Sequence, residues 1–132
     1  VIIAGSTSDT PHVKKIKEAL EKFNIYSIAY AASAHKQTKK LLELLEKYEA
    51  RMVNGNKSRI VFITVAGRSN ALSGVVSCNC NYPIIACPPF KDKMDMTVNI
   101  NSTLQMPSNV PVMTILEPGN AAIAVKRIFD LQ

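Results

Sequence analysis

The sequence lacks any apolar run of the roughly 18 residues that a membrane-spanning helix needs. It also lacks a leader in which positive charge is followed by an apolar stretch and small residues. Internal repeats and low-complexity tracts are missing as well. These absences predict no membrane partner. The 132 residues, 47% of them hydrophobic and 20% charged, suit a globular chain with a core of ordinary size.

We assign 1–132 to a single domain. The chain begins without methionine at Val1, inside a predicted strand, so we expect further residues before it. The last predicted helix is likewise expected to continue beyond Gln132.

Cysteine is scarce, with Cys78, Cys80 and Cys87 only. An odd number of cysteines without a leader predicts a reducing compartment, and we expect a cytoplasmic location. The spacing Cys78-Asn79-Cys80 is not that of a zinc site, and the chain's two histidines lie far apart. We therefore predict no metal site and interpret the thiols as buried or interface residues.

The net charge of +6 raises the question of nucleic-acid binding. Aromatic residues are few, at 6%, and do not alternate with cations as stacking platforms would. The basic residues instead alternate with acids at helical i,i+4 spacing, as in Lys14 with Glu18, Glu18 with Lys22, and Glu43 with Lys47. We predict no nucleic-acid partner, and the positive excess suits either an anionic small substrate or no charged partner at all.

Five apolar, β-branched runs predict strands at 1–4, 25–31, 60–65, 84–87 and 112–116. The segments between them carry apolar residues at helical spacing. The inward faces of the first, second and last helices are Val13, Ile16, Leu20 and Phe23; Leu41, Leu45, Tyr48 and Met52; and Ala121, Val125, Ile128 and Phe129. Regular alternation of strand and helix predicts an α/β fold, a central parallel sheet with helices on both faces.

The boundaries of the helices are predicted from breakers and caps. The second helix is expected to end near Asn54-Gly55-Asn56, and a short third helix to cover about 69–76. Residues 90–96 are predicted to form a loop before a helix through Ile100 and Leu104. Within the third helix, Ser73-Gly74 is expected to permit close packing.

Three short loops follow predicted strands and open helices: Gly5-Ser6-Thr7-Ser8-Asp9, Ser33-Ala34-His35-Lys36 and Ala66-Gly67-Arg68-Ser69-Asn70. We call them the 5–9, 33–36 and 66–70 loops. In an open parallel sheet the carboxyl ends of the strands face one crevice, where ligands bind. The loops therefore predict a small-molecule enzyme site. The chain contains neither a Walker motif nor G-x-G-x-x-G, which disfavours ATP and dinucleotides.

The 5–9 loop admits two interpretations. Backbone N–H groups at a helix start favour an anion, and Ser6 and Ser8 add donors. Alternatively, Ser8 or Asp9 only caps the helix. Asp9 is poorly suited to a phosphate, but its carboxylate is able to bind sugar hydroxyls.

His35 is the candidate for proton transfer, because an imidazole titrates near neutrality and can take and return a proton. A purely structural histidine is the alternative interpretation. Lys36 beside it would hold its pKa down and bind anionic groups. The other histidine, His12, follows Pro11 on the first helix and is predicted to be a surface residue.

In the 66–70 loop, Gly67 lets the backbone approach a ligand closely. Arg68 is either a substrate clamp or an interface ion pair, and the spacing does not separate the two. Pro88-Pro89 is expected to shape a rigid loop after the fourth strand.

Taken in order, these loops resemble the PurE family, the phosphoribosylaminoimidazole (AIR) carboxylases and mutases of purine synthesis. The 5–9 loop matches the family's GSxSD and the 33–36 loop its SAH[RK]; Leu104-Gln105-Met106-Pro107 with Val110-Pro111-Val112 matches its QMP…VPV segment. The resemblance runs from about residue 1 to residue 131. It implies a flavodoxin-like three-layer fold of about five strands. It also implies a homo-oligomer, usually an octamer with a tetramer as the alternative, with active sites at subunit junctions.

The family has two branches. In the mutase branch, Arg follows the SAH motif and a second histidine follows the Ala-Gly turn. This chain has Lys36, and its residues 66–74 contain no histidine. Both features resemble the direct AIR carboxylases, which include the carboxylase half of the animal bifunctional enzyme. The resemblance implies that CO2 adds to C4 of AIR, giving 4-carboxy-AIR (CAIR), without ATP, biotin or metal.

By this resemblance His35 is the general acid/base. The substrate-binding residues it implies are Ser6, Ser8, Asp9 and Lys36 around the ribose 5-phosphate, Gly67 and Arg68 lining the pocket, Ser69 and Asn70 near the CO2, and Ser33 with no part of the substrate assigned to it. An N5-carboxyaminoimidazole ribonucleotide (N5-CAIR) mutase is the nearest alternative. A non-catalytic phosphate- or nucleotide-binding module is a second alternative, because the fold alone would permit it.

Overall fold

A computed structural model describes residues 1–52 and 58–131 of the chain. Within these residues five parallel strands form one sheet in the order β2-β1-β3-β4-β5. They are β1 (Ile2–Ala4), β2 (Ala29–Ala31), β3 (Phe62–Val65), β4 (Ile84–Ala86) and β5 (Met113–Thr114). This is the order of a flavodoxin-like fold, so the predicted α/β class is confirmed. The second strand is shorter than predicted, since it begins at Ala29 rather than at residue 25.

The same described residues form α-helices α1 (Thr10–Glu21), α2 (Thr38–Glu49), α3 (Ala71–Cys78), α4 (Lys93–Leu104) and α5 (Pro118–Asp130). Single 3₁₀ turns precede α1 at Thr7–Asp9 and follow α2 at Ala50–Met52. Among the residues described, no helix is both long and apolar enough to cross a membrane. The predicted end of the second helix near Asn54-Gly55-Asn56 lies outside the described residues, as does the side chain of Met52.

Three local predictions are corrected by the structure. Phe23 is exposed, because α1 ends at Glu21 and the residue lies in the turn that follows. Residues 90–96 are not all loop: α4 begins at Lys93, since the Asp92 carboxylate accepts a hydrogen bond from Asp95 N at 2.9 Å and caps the helix. The third helix runs over 71–78 rather than 69–76.

The hydrophobic core lies on both faces of the sheet. On one face Ile2 and Ile63 pack with α1 and α5, and on the other Ile3 and Phe62 pack with α2 and α3. All four residues of β3 are buried. A strand covered on both faces must be apolar on both, which explains the nearly continuous apolar sequence of this strand.

Gly74 brings α3 close to the segment after α4. A Cβ built at this position would lie 3.3 Å from Met106 Sδ, which is tighter than ordinary van der Waals contact. The predicted close packing at Ser73-Gly74 is therefore confirmed.

A buried hydrogen-bond network around Asn70 joins β3, α3 and α4. The Asn70 side chain accepts a hydrogen bond from Ser73 N at 3.2 Å and donates to Thr103 Oγ1 at 3.0 Å. The Ser73 hydroxyl in turn lies 2.8 Å from Thr64 Oγ1. Asn70 N donates to Ser102 Oγ on α4. The network holds the 66–70 loop in one position relative to the central strand.

The Asn70→Ala variant is expected to lose about 2–4 kcal/mol of the free energy of unfolding, since it removes a helix cap and leaves buried hydroxyls without their partner. Urea denaturation followed by circular dichroism measures the loss. Asn101→Ala is the matched control, because Asn101 is an exposed asparagine on α4 and should change stability by less than about 0.5 kcal/mol. Equal effects of the two substitutions would contradict a role for the network.

Candidate active site

A cleft of about 740 Å³ lies where the loops at the carboxyl ends of the strands meet. The 5–9, 33–36 and 66–70 loops all contribute to it, as predicted from their positions after strands. The residues lining it are Gly5, Ser6, Ser8, Asp9, Pro11, His12, Lys15, Ser33, Ala34, His35, Ala66, Gly67, Arg68, Ser69, Ala71, Leu72, Pro89, Phe90, Lys91, Asp95 and Asn99.

In the 5–9 loop the two hydroxyls support the turn. Ser6 Oγ accepts a hydrogen bond from Ser8 N at 3.2 Å and lies 2.8 Å from Ser8 Oγ. Asp9 stands at the N-terminus of α1 but makes no capping hydrogen bond with its side chain. Burial raises the pKa of the Asp9 carboxyl, although a hydrogen bond with the Ser6 backbone opposes the shift. Capping therefore does not account for Asp9, whose carboxylate faces the cleft.

The 33–36 loop is a tight turn that presents His35. Lys36 N donates to Ser33 Oγ at 3.2 Å, Gln37 N donates to Ser33 O at 2.9 Å, and Ala34 is buried beneath the turn. His35 is exposed and lines the cleft. No hydrogen bond from the described residues engages its ring, so the imidazole is available to a ligand. Lys36 is exposed and does not line the cleft of the single chain.

In the 66–70 loop Arg68 Nε lies 3.6 Å from Asp95 Oδ1 on α4. The Arg68 side chain is 74% exposed and Asp95 19%, and exposed ion pairs contribute little to stability. The guanidinium is therefore positioned by Asp95 without being locked. Ser69 adopts a φ of 51°, a left-handed conformation that is strained for a residue other than glycine.

Asn70 lies outside the cleft. It is 7% exposed, and its amide is committed to the buried network with Ser73 and Thr103. Its predicted place beside CO2 stays a prediction, as does the predicted phosphate contact of Lys36. The other predicted site residues, Ser6, Ser8, Asp9, Ser33, His35, Gly67, Arg68 and Ser69, all line the cleft.

The prediction that His12 is a surface residue was wrong. The side chain is half-buried and lines the cleft, with Nε2 3.5 Å from the Sγ of the buried Cys87. Burial lowers the pKa of His12, although hydrogen bonding to the Cys87 backbone opposes the shift, and this favours a neutral ring at neutral pH. Lys15, one turn further along α1, also lines the cleft. His12 and Lys15 stand at i,i+3 spacing directly after the 5–9 loop, and this signal could have identified both as residues that line the cleft.

The start of α4 supplies a wall that the sequence analysis did not anticipate. Phe90, Lys91, Asp95 and Asn99 line the cleft beside Pro89. Asp95 and Asn99 share one face of α4 at i,i+4 spacing, a pattern concealed by the prediction of a loop over 90–96, and Lys91 lies in the segment just before the helix.

The charges lining the cleft are mixed, with an excess of cations. Lys15, Arg68 and Lys91 line it together with the carboxylates of Asp9 and Asp95, and two imidazoles lie among them. Such a lining favours an anionic ligand. Within the described ranges no three or more His, Cys, Asp or Glu side chains group as ligands for a metal ion.

A flavodoxin-like sheet with this cleft at the carboxyl ends of its strands defines an α/β protein of the class that binds small anionic molecules there. The chain belongs to the AIR carboxylase family, whose profile matches residues 1–132. The resemblance to the PurE family inferred from the loops is thereby confirmed.

Two curated relatives carry the name phosphoribosylaminoimidazole carboxylase. The phosphoribosylaminoimidazole carboxylase of Archaeoglobus fulgidus is 48% identical over 132 residues, which is 100% of this chain and 69% of that protein. The carboxylase of Treponema denticola is 40% identical over 131 residues, 99% of this chain and 79% of that protein. The crystal structure of Treponema denticola PurE superposes with a TM-score of 0.89 at 41% identity, covering 98% of this chain and 78% of that one.

A third relative is the bifunctional phosphoribosylaminoimidazole carboxylase/succinocarboxamide synthetase of Drosophila melanogaster, at 38% identity over 131 residues. The match covers 99% of this chain but only 29% of that protein. The similarity is thus to one part of the bifunctional enzyme.

The Asp9→Asn variant is expected to be more stable than the parent near neutral pH. Burial raises the pKa of Asp9 above its ordinary value of 3.8 in the folded chain, so the ionised carboxyl opposes folding above that pKa. The gain should disappear as the pH falls below 3.8, because the carboxyl is then protonated in both the folded and the unfolded states. Urea denaturation of the variant and the parent, from neutral pH to below 3.8, measures this difference in stability.

Asp92→Asn is the control for this experiment, because the Asp92 carboxylate caps α4 and is hydrogen-bonded. It should bring no gain at neutral pH. A loss of stability in Asp9→Asn at neutral pH would show that the carboxylate supports the fold rather than a ligand.

Proposed function

We propose that this protein is a direct AIR carboxylase, which joins CO2 to C4 of 5-aminoimidazole ribonucleotide and gives 4-carboxy-AIR. The observation that carries the proposal is the position of His35. Its ring lines a cleft together with the hydroxyls of the 5–9 loop and the Arg68 guanidinium, and among the described residues it has no hydrogen-bond partner. Membership of the AIR carboxylase family supports the same reaction.

The chemistry requires one positioned proton carrier. The C4 of the aminoimidazole is an enamine-like carbon and attacks the carbon of CO2. A C–C bond forms as a C–O π pair moves onto oxygen, which leaves a carboxylate and a proton together on C4. His35 removes that proton, and the electron pair of the C4–H bond returns to the ring and restores its aromaticity. In the reverse direction His35 donates a proton to C4. A general acid/base of this kind contributes about 10²–10⁴ in rate.

The remaining residues would hold the two reactants together. Ser6, Ser8 and the start of α1 would bind the phosphate through hydroxyl and backbone donors, with Lys15 and Lys36 adding charge. The Asp9 carboxylate suits the ribose hydroxyls. Ser69, beside Gly67, would contact the CO2, and holding it next to C4 accelerates the reaction by proximity.

No cofactor is part of this proposal. CO2 is the co-substrate, and neither ATP, biotin nor a metal ion takes part, because the electron pair of the enamine drives bond formation directly. We place the reaction in the cytoplasm, because the three cysteines are not predicted to form a disulfide framework.

The direct carboxylase is preferred to the N5-CAIR mutase on two positions. Lys36 occupies the place of the mutase arginine, and residues 66–74 contain no second histidine. The relatives from Archaeoglobus fulgidus and Treponema denticola both carry the name carboxylase.

We also propose that copies of the chain form a homo-oligomer, an octamer by the family pattern and a tetramer as the alternative, with each cleft near a subunit junction. On α4, Met94 is 75% exposed and Leu104 60%, and an exposed apolar face of this kind favours association. Lys36 lies outside the cleft of a single chain, as a residue at a junction would. Light scattering measures the mass, and a monomer at all concentrations would contradict the assembly.

The purified protein is expected to make 4-carboxy-AIR from AIR and CO2 without ATP, and the His35→Asn variant should lose at least 10²-fold in kcat because its amide cannot carry a proton. Substrate affinity should stay within a few-fold, since Asn keeps a polar group of similar size. Product formation is followed for AIR with CO2 and, in parallel, for N5-CAIR.

The outcomes separate the candidate functions. Product from N5-CAIR alone would identify a mutase, and no product from either substrate with folded protein would identify a binding module. A His35→Asn variant with normal turnover would remove His35 from the reaction.

A further inference from the structure

Asn99 on α4 holds a buried oxygen that the fold leaves unused. The residue is 3% exposed and lines the cleft. Its Nδ2 donates to Pro89 O at 2.7 Å, whereas its Oδ1 finds no hydrogen-bond donor among the residues that the structure describes. Buried polar atoms in folded proteins almost always have a partner, and an exception calls for a physical explanation.

The orientation of this amide is decided by its neighbour. The Pro89 carbonyl can only accept a hydrogen bond, so the NH2 group of Asn99 must face it and the oxygen must face away. The amide also packs on the 66–70 loop: a Cβ at Gly67 would lie 3.4 Å from Nδ2 and 3.6 Å from Oδ1. Thr103 Oγ1 donates to the Asn99 backbone oxygen at 2.8 Å, which anchors this turn of α4. The residue is thus held through its Nδ2 and through its backbone, and Oδ1 alone is left without a partner among the described residues.

The free oxygen selects the kind of group it would bind. It is an acceptor, so it requires an N–H or O–H donor. A phosphate dianion and CO2 offer no donor and are excluded. Among the parts of an aminoimidazole ribonucleotide, the donors are the ribose hydroxyls and the exocyclic amino group, because the ring nitrogens carry no proton once N1 bears the ribose.

The position in the fold distinguishes these donors. The phosphate-directed residues Ser6, Ser8 and Lys15 lie after β1 and on α1. Asn99 contacts Gly67 and Pro89, which follow β3 and β4, on the other side of the cleft along the sheet order. If the phosphate lies at the first side, an extended ribonucleotide would carry its base toward the second, within the cleft that His35 and Asn99 both line.

We infer that Asn99 is a specificity-determining residue whose Oδ1 accepts a hydrogen bond from the exocyclic amino group of the substrate base. The inference rests on the proposed function. As C4 attacks CO2, the amino nitrogen releases electron density into the ring and its N–H groups become more positive. The hydrogen bond to Oδ1 therefore strengthens in the transition state, so Asn99 contributes to kcat as well as to binding.

The test compares AIR with imidazole ribonucleotide, the analogue that lacks only the amino group, by calorimetric titration of the full chain. The unchanged protein is expected to bind AIR about tenfold more tightly than the analogue. In Asn99→Leu, which has a similar size but no acceptor, the difference should fall to less than about threefold, and kcat with AIR should fall by about tenfold or more. Asn101→Leu is the matched control on the exposed face of α4 and should keep the preference.

Thermal unfolding checks that each variant is folded; if Asn99→Leu is not, Asn99→Ala carries the same expectation with less bulk and no side-chain acceptor. An unchanged preference for AIR in the folded variant would overturn the inference while leaving the carboxylase intact. The inference also fails, and the carboxylase again stands, if the unchanged protein turns over AIR but binds AIR and imidazole ribonucleotide equally. If the unchanged protein neither binds AIR nor turns it over, the proposed function and the inference fail together.

Discussion

The cleft depends on how the chain leaves the central strand. After β3 it must turn sharply, line the cleft at Gly67 and enter α3, all within the 66–70 loop. The buried Asn70 amide fixes this path, since it caps α3 through Ser73 N and bonds to Thr103 on α4. It thereby ties α4, which forms one wall of the cleft, to the strand at the centre of the sheet. The left-handed Ser69 directly precedes Asn70, whose hydrogen bonds fix the chain on that side of it.

Polar groups in this region divide into two kinds. Those pointing into the protein, such as Asn70, Ser73 and Thr64, satisfy one another. Two of those that line the cleft are less well served: the Asp9 carboxyl is disfavoured as an anion by burial, and Asn99 Oδ1 lacks a donor in the described residues. A protein selected only for stability would have removed such groups, whereas a binding site retains them because a ligand satisfies them.

His12 and His35 show how one residue type acquires two roles from its surroundings. His12 is half-buried, beside Cys87 and close to Lys15, and its pKa is lowered by burial. His35 stands on a tight exposed turn where its ring remains available to a ligand. The difference lies in the packing around each ring.

Local pattern alone determined the strands, their parallel arrangement and the meeting of the three loops, because strand periodicity and chain order dictate which ends share an edge. The 33–36 loop and His35 were found for the same reason. Tertiary structure decided the rest. The wall formed by Lys91, Asp95 and Asn99, the burial of His12 and the inward turn of Asn70 all depend on contacts between residues distant in sequence. Periodicity within one segment carries no information about which element packs against it, so only the folded chain could place these side chains.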